Sequence, residues 1–335
     1  MSGPGAGPKG RARPRTKLAI ALVAALVGAP ALAQPAYPTK AVTLVVPFPP
    51  GGGTDTGARL IAQKLSERWG QPVIVENKPG AAGIVGVDYA AKAKPDGYTI
   101  LMGNIGTQSV NPSLYKKLPY NPETAFAPIT LVAELPLVLV INPKVEAKSP
   151  ADVIARAKAR PGDLTYSTSG NGGSMHLAAA LFENEAGIKM MHVPYKGGGP
   201  AIQDVIAGHV NLSFATILET AGYIKNGRLQ ALAVTSEKRS PALPDVPTVA
   251  ESALPSFDSI SWIGLLAPAG TPQPVIDKVA GDVRAVLETA EVRDRLIAQG
   301  ATPVGNSSAE FKMLIEKDRA RYAKIIAEKG ITADQ

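Results

Sequence analysis

From Ala41 onward the chain alternates short β-branched or apolar runs with segments whose apolar residues recur at helical spacing, the pattern of a parallel sheet with helical crossovers. Val42-Thr43-Leu44-Val45-Val46 reads as a strand stopped by Pro47. A helix follows, with Thr54 as its expected N-cap, Ala58, Ile61, Ala62, Leu65 and Trp69 on one face, and Gly70 placed to end it. Val73 to Val75 is the next strand, Ile84 to Ala93 the next helix, and Tyr98 to Leu101 a third strand. The stretch from Ile129 to Ile141 carries two strand-like runs broken at Glu134-Leu135-Pro136, and suits a crossing between lobes.

A second alternating series opens at Ser149-Pro150-Ala151-Asp152, with proline at the first helical position. It continues through a strand at Leu164 to Ser167, a helix from Ser174 to Ala186, and strands near Asn211 to Phe214 and Leu229 to Val234. Ser261 to Leu266 is extended and suits a return crossing; Thr271 to about Lys329 is helical with a break at Gln299 to Ser307. Two crossings predict a discontinuous lobe over 34–134 plus 258–335, with the lobe 135–257 inserted into it.

Composition narrows the class. Of the formal charge of +7, +5 comes from Lys9, Arg11, Arg13, Arg15 and Lys17, which leaves +2 for the remainder and no field for a nucleic-acid backbone. That basic stretch, the apolar run Leu18 to Ala29 and Ala31-Leu32-Ala33 form a secretory signal peptide over 1–33. An apolar run of this length falls short of the roughly 20 residues that span a bilayer. The chain has no cysteine, which excludes disulfides, thiolate metal sites and a lipid anchor on an N-terminal cysteine.

The chemistry concentrates in two glycine-rich loops. Pro47-Phe48-Pro49-Pro50-Gly51-Gly52-Gly53-Thr54-Asp55 lies between a strand and a helix, where open α/β sheets bind ligands and a helix start suits an anion. A tight structural turn is the alternative. Without a following Gly-Lys-Ser/Thr it is not a phosphate loop. Ser167-Thr168-Ser169-Gly170-Asn171-Gly172-Gly173-Ser174-Met175-His176 repeats the arrangement in the second series, so two helix starts are expected to face one ligand. Gly80, Gly83 and Gly86 have G-x-x-G-x-x-G spacing, which fits close packing of loop and helix better than a dinucleotide site. Tyr195-Lys196-Gly197-Gly198-Gly199 either gives the cleft an aromatic wall and a cation or makes a turn. His176 either lines the cleft or is structural; His192 and His209 read as structural. Asp55 reads as a first-turn acid. No H-E-x-x-H, carboxylate–histidine cluster or G-x-S-x-G elbow is present, so no catalytic residue, metal or cofactor is expected.

Six segments, in order, resemble the tripartite tricarboxylate transporter substrate-binding family, the Bug receptors. They are Val46 to Asp55, Val75-Glu76-Asn77-Lys78-Pro79-Gly80, Lys94-Pro95-Asp96-Gly97-Tyr98-Thr99, Val193 to Gly197, Leu243-Pro244-Asp245-Val246-Pro247-Thr248 and Ala267-Pro268-Ala269-Gly270-Thr271-Pro272. The resemblance implies a periplasmic-binding-protein-like (type II) α/β fold with two lobes hinged about a cleft; with the signal peptide and the lack of cysteine, the expectation is a monomer exported to the periplasm without a lipid anchor. It implies a small carboxylate ligand delivered to a two-subunit inner-membrane permease, with a membrane sensor kinase as the alternative partner. Carried over residue by residue, contacts fall on Phe48, Gly53, Thr54 and Asp55, then on Ser169, Gly170, Asn171, Ser174 and His176. The walls fall on Asn104, Thr107, Tyr195, Phe214 and Thr216. An exported enzyme is the remaining reading.

Overall fold

Five residues, Val42–Val46, form strand β1, flanked in parallel by β2 (Val73–Asn77) and β3 (Thr99–Asn104). β1 is buried along nearly its whole length, as an inner parallel strand covered on both faces must be. The computed structural model describes residues 1–7, 10 and 37–333, so the leader segment 1–33 lies largely outside the described residues. All that follows concerns the unit that begins at Tyr37.

Helix α1 (Gly53–Trp69) joins β1 to β2 and ends on Gly70, which adopts the left-handed conformation (φ +62°) a side chain disfavours. Helix α2 (Ile84–Ala91) joins β2 to β3, and one π turn (Gly106–Val110) running into the short helix α3 (Asn111–Leu114) follows β3. The stretch expected to break at Glu134–Pro136 is instead one strand, β4 (Phe126–Ile141). What changes there is the partner. Phe126 to Pro136 pairs antiparallel with β9 (Ile260–Pro268), and Leu137 to Ile141 pairs with β7 (Leu212–Thr216) and β8 (Gln230–Val234). Proline lacks an N–H, so Pro136 falls where a ladder bond can be dispensed with.

The second half carries α4 (Pro150–Ala159), β5 (Thr165–Thr168), α5 (Ser174–Ala186), β6 (Met191–Pro194), α6 (Gly198–Ala207) and α7 (Ile217–Lys225). Ser149 caps α4 by accepting from the Asp152 N–H at 3.2 Å, with Pro150 at its first position. The path of pairing runs β2-β1-β3-β9-β4-β7-β5-β6. At the crossover the Thr235 hydroxyl reaches the carbonyls of Leu137 (3.1 Å) and Ser259 (2.5 Å), tying the outgoing and returning chains together. A short helix α8 (Val249–Ser252) precedes that return.

The C-terminal part is α9 (Gln273–Glu288), α10 (Ala290–Ala298), β10 (Thr302–Pro303, paired with β4) and α11 (Ser308–Lys329). α11 is locked to the crossing strand by a knob in a gap. A Cβ on Gly264 of β9 would stand 2.2 Å from the Phe311 ring, which meets Trp262 edge-on at 5.2 Å. The Trp262 indole in turn donates to Asp318 at 2.7 Å. Phe311 is fully buried. Phe311→Ala is therefore expected to cost about 3–5 kcal/mol in urea denaturation, the range for emptying a core aromatic site. A loss below about 1 kcal/mol would show that α11 is not held this way.

Candidate functional site

The first loop is held by one carboxylate. Asp55 accepts from the Gly51 N–H and from Arg59 Nε, both at 2.9 Å, on one oxygen, and from Asn77 Nδ2 at 2.8 Å on the other. Asn77 Nδ2 also donates to the Phe48 carbonyl at 3.0 Å. Burial opposes the ionised form, but the hydrogen bonds from Arg59, Asn77 and Gly51 outweigh it and hold the Asp55 carboxyl below its ordinary range. Asp55 thus shapes the loop from behind.

Helix α1 opens on Gly52, not on Thr54 as expected. Gly52 is extended (φ −79°, ψ 169°) and supplies no side-chain cap, so α1 begins with first-turn N–H groups that no cap takes. Thr54 is turned to another use, accepting from Asn104 Nδ2 at 3.3 Å. Asn104 and Thr107 bond each other three times: the Asn104 N–H donates to Thr107 Oγ1 at 3.1 Å, the Thr107 N–H to Asn104 Oδ1 at 3.0 Å, and the Thr107 hydroxyl to the Asn104 carbonyl at 3.1 Å. Behind them Gly83 (φ +88°) lets Phe48 and Thr107 approach, since a Cβ there would stand 2.8 Å from the threonine methyl and 3.2 Å from the phenylalanine ring. A Cβ on Gly86 would stand 2.7 Å from the Pro47 Cα, so this glycine series serves close packing.

The second loop follows the same local logic. β5 ends at Thr168, and α5 opens at Ser174 from an extended, uncapped Gly173. The Ser169 carbonyl accepts from the Gly197 N–H at 3.2 Å, and Gly170 (φ +129°) lies against the Tyr195 carbonyl. Asn171 donates to the Ala333 carbonyl at 3.2 Å, while its Oδ1 is buried and unpartnered. Gly172 (φ +70°) packs where a Cβ would stand 2.2 Å from Leu114, so the 104–114 segment touches Thr54 at one end and the second loop at the other.

His176 stands behind this loop. Its Nδ1 accepts from the Gly172 N–H at 3.0 Å, and its ring stacks on His192 at 4.0 Å, which stacks on Tyr166 at 5.0 Å. His192 Nε2 is 2.7 Å from the Thr168 hydroxyl. Burial, reinforced by His192, lowers His176 to about 3; burial alone lowers His192 to about 4. The three-ring stack is thus neutral and supports the loop. His209 is exposed beside Asp204.

Two wall positions change. Phe214 is fully buried and packs on Phe182 at 5.3 Å, because β7 is an inner strand covered on both faces. Tyr195 sends its hydroxyl to Asp204, leaving its backbone to shape the second loop. Thr216 does belong with the first loop. It caps α7, accepting from the Glu219 N–H at 3.3 Å and donating to Glu219 Oε2 at 2.9 Å, and its Oγ1 lies 4.0 Å from where a Gly53 Cβ would be. A Cβ on Gly53 would stand 3.6 Å from Leu218 and 3.8 Å from Leu135.

Sequence reasoning did not pick out Glu219. Its carboxyl accepts from the Thr216 hydroxyl, the Gly53 backbone N–H favours its charged form, and a Cβ on Gly198 would stand 2.5 Å from Oε1. Helices α1, α6 and α7, from both halves of the chain, therefore start around one carboxyl. Burial pushes it above the ordinary glutamate range, against the hydrogen bonds from Thr216 and Gly53. Among the described residues, no lysine or arginine pairs with it. The signal available in the sequence, Thr216-x-x-Glu219, reads as local capping; the contact with Gly53 is a tertiary fact. No group of three or more metal-ligating side chains occurs among the described residues.

Residues 57–331 match the model of the tripartite tricarboxylate transporter family receptor. The chain belongs to that family. It is 36% identical to the protein BugT of Bordetella pertussis over 93% of this chain and 96% of that one. Among solved structures, the receptor resembles Rpa4515 of R. palustris with adipate, at TM-score 0.85 and 36% identity over 88% of this chain and 99% of that one. It also resembles MatC from Rhodopseudomonas palustris with bound malate, at TM-score 0.80 and 32% identity over 87% of this chain and all of that one. The receptor's fold is accordingly the mixed α/β, periplasmic-binding-protein-like one, two lobes about a cleft.

Proposed function

We propose that the protein is an extracytoplasmic receptor that captures a small organic acid between its lobes and delivers it to a two-subunit membrane permease. The observation that carries this is the gathering of glycine-opened helix starts. α1, α5 and α6 each start from a glycine with no side-chain cap; α1 and α6 do so beside Glu219, and α5, with no acid in its first turn, leaves its first-turn N–H groups for an incoming anion. Two relatives that share the fold over nearly their whole length hold adipate and malate, both dicarboxylates. The lobes divide at residues 34–134 plus 258–335 and 135–257, consistent with the partner change in β4 after Pro136 and the Thr235–Ser259 tie. Closure of these halves on ligand is the signal a permease reads. The ligand contacts lie on Gly53, Thr54, Asn104 and Thr107 from one lobe and Ser169, Gly170, Ser174 and Thr216 from the other. The protein turns over no substrate, is exported by its leader to the periplasm, and acts as a monomer. No described helix is long and apolar enough to cross a membrane.

Calorimetry of the mature protein against di- and tricarboxylates, aromatic acids and acidic amino acids tests this. The expected result is one acid bound per chain, with a thermal shift that grows with ligand concentration. Native mass spectrometry on protein purified without added ligand should show a monomer with at most one retained acid. No heat and no shift across the panel would end the receptor reading.

A further inference from the structure

We propose that Glu219 determines which acids the cleft accepts: it reserves the α1 end of the site for a neutral or hydrogen-donating group, so that the ligand is an acid at one end only. This rests on the receptor reading above. The corner is made by the starts of α1, α6 and α7, and Glu219 already fills it with a carboxyl that accepts from the Thr216 hydroxyl at 2.9 Å, itself 4.0 Å from where a Gly53 Cβ would be. Its other oxygen stands against Gly198, the first residue of α6, so tightly that a Cβ there would meet it at 2.5 Å. A ligand carboxylate reaching this corner would have to displace Glu219 from that hydroxyl or lie beside it. Like charges at such range, with no cation to pair, disfavour each other. The start of α5 holds no such internal acid: Gly173 supplies no side-chain cap and the first turn carries no acidic residue. The ligand's carboxylate is therefore assigned to the second loop and its opposite end to Glu219. An amide, hydroxyl or ammonium there donates to the Glu219 oxygen, whereas a second carboxylate cannot.

The test is calorimetry at pH 8 with succinate, glutarate and adipate, each paired with its own monoamide, on the wild type and on E219Q and E219S. At the chain length that binds, the wild type is expected to hold the monoamide at least tenfold more tightly than the diacid. E219Q removes the charge at constant shape and should bring the pair within about threefold, and E219S, which vacates the corner, should favour the diacid. Thermal melts of the variants confirm that they are folded. A wild type that holds the diacid as well as its monoamide, or a preference unchanged in both variants, overturns this proposal and leaves the receptor reading standing. Absence of binding by every acid and monoamide, in wild type and variants alike, overturns this proposal, and the receptor reading falls with it only when the wider panel above also gives no heat.

Discussion

Replacing Asp55 by alanine is expected to weaken ligand binding by ten- to a hundredfold and to lower stability by about 2–4 kcal/mol. The carboxylate is buried and is the acceptor for three donors from three places: the loop itself (Gly51), the helix (Arg59) and β2 (Asn77). Its loss leaves the Gly51 N–H without that acceptor and frees Asn77, which also holds the Phe48 carbonyl. The loop then samples other shapes, and the ligand must supply the ordering energy, at about 1.4 kcal/mol for each tenfold of affinity. The Arg59 share is small because that side chain is 53% exposed and its ion pair is screened by solvent. R59A should therefore bind nearly as the wild type does, and N77A should approach D55A. Because the Asp55 pKa is depressed, its contribution is present at neutral pH and lost only as the pH falls through the folded value. Titration of all three variants with the acid identified by calorimetry checks the order. A D55A protein with unchanged affinity would mean that the loop is set by its glycines alone.

The elements with a strong local cause were legible in the sequence, and those whose cause is tertiary were not. Helix α5 (Ser174–Ala186) and the end of α1 at Gly70 follow from helical spacing and a glycine with no Cβ penalty. Strand β6 (Met191–Pro194) and helices α6 and α7 were missed because their runs are short and interrupted by glycine; pairing with β5 and packing under the sheet define them. The expected break at Glu134–Pro136 is a change of partner inside a continuous strand, which only the neighbouring strands reveal. The same holds at the site. Both loops were found because strand, glycines and helix start are consecutive in the chain. The helix start beside Gly53 is that of α7, which carries Glu219 and comes near through Thr216, and an approach between residues 53 and 216 leaves no mark in local spacing. Phe214 was misplaced for a related reason: whether an aromatic near a cleft faces the core or the ligand depends on what covers the strand's faces.

Stability is expected to fall as the pH is lowered from about 7 to 5, and H176Q should remove much of that fall. His176 and His192 are stacked and held neutral, lowered to about 3 and about 4 by burial, whereas a histidine in the unfolded chain titrates near 6.5. Between those values the unfolded state binds protons that the folded state refuses, so unfolding gains and the free energy of unfolding rises with pH. At pH 5 the difference is about 1.5 pH units for His176, or about 2 kcal/mol relative to pH 8. His192 adds to this with the same sign, by an amount that its partial exposure trims. Carboxyls held above their ordinary range act oppositely in part of this window, namely Glu134, Glu219, Asp258 and Asp318, all raised by burial. The wild-type slope alone therefore mixes two signs, and the wild-type minus H176Q difference isolates the histidine. In urea denaturation at pH 5, 6, 7 and 8 that difference should shrink by about 2 kcal/mol from pH 8 to pH 5. Glutamine keeps an acceptor for the Gly172 N–H, so the loss at pH 8 reports packing against His192 and not an orphaned amide. A difference that stays constant across the series would mean that the buried ring is protonated as readily in the fold as in water, and that the stack does not exclude solvent from the second loop.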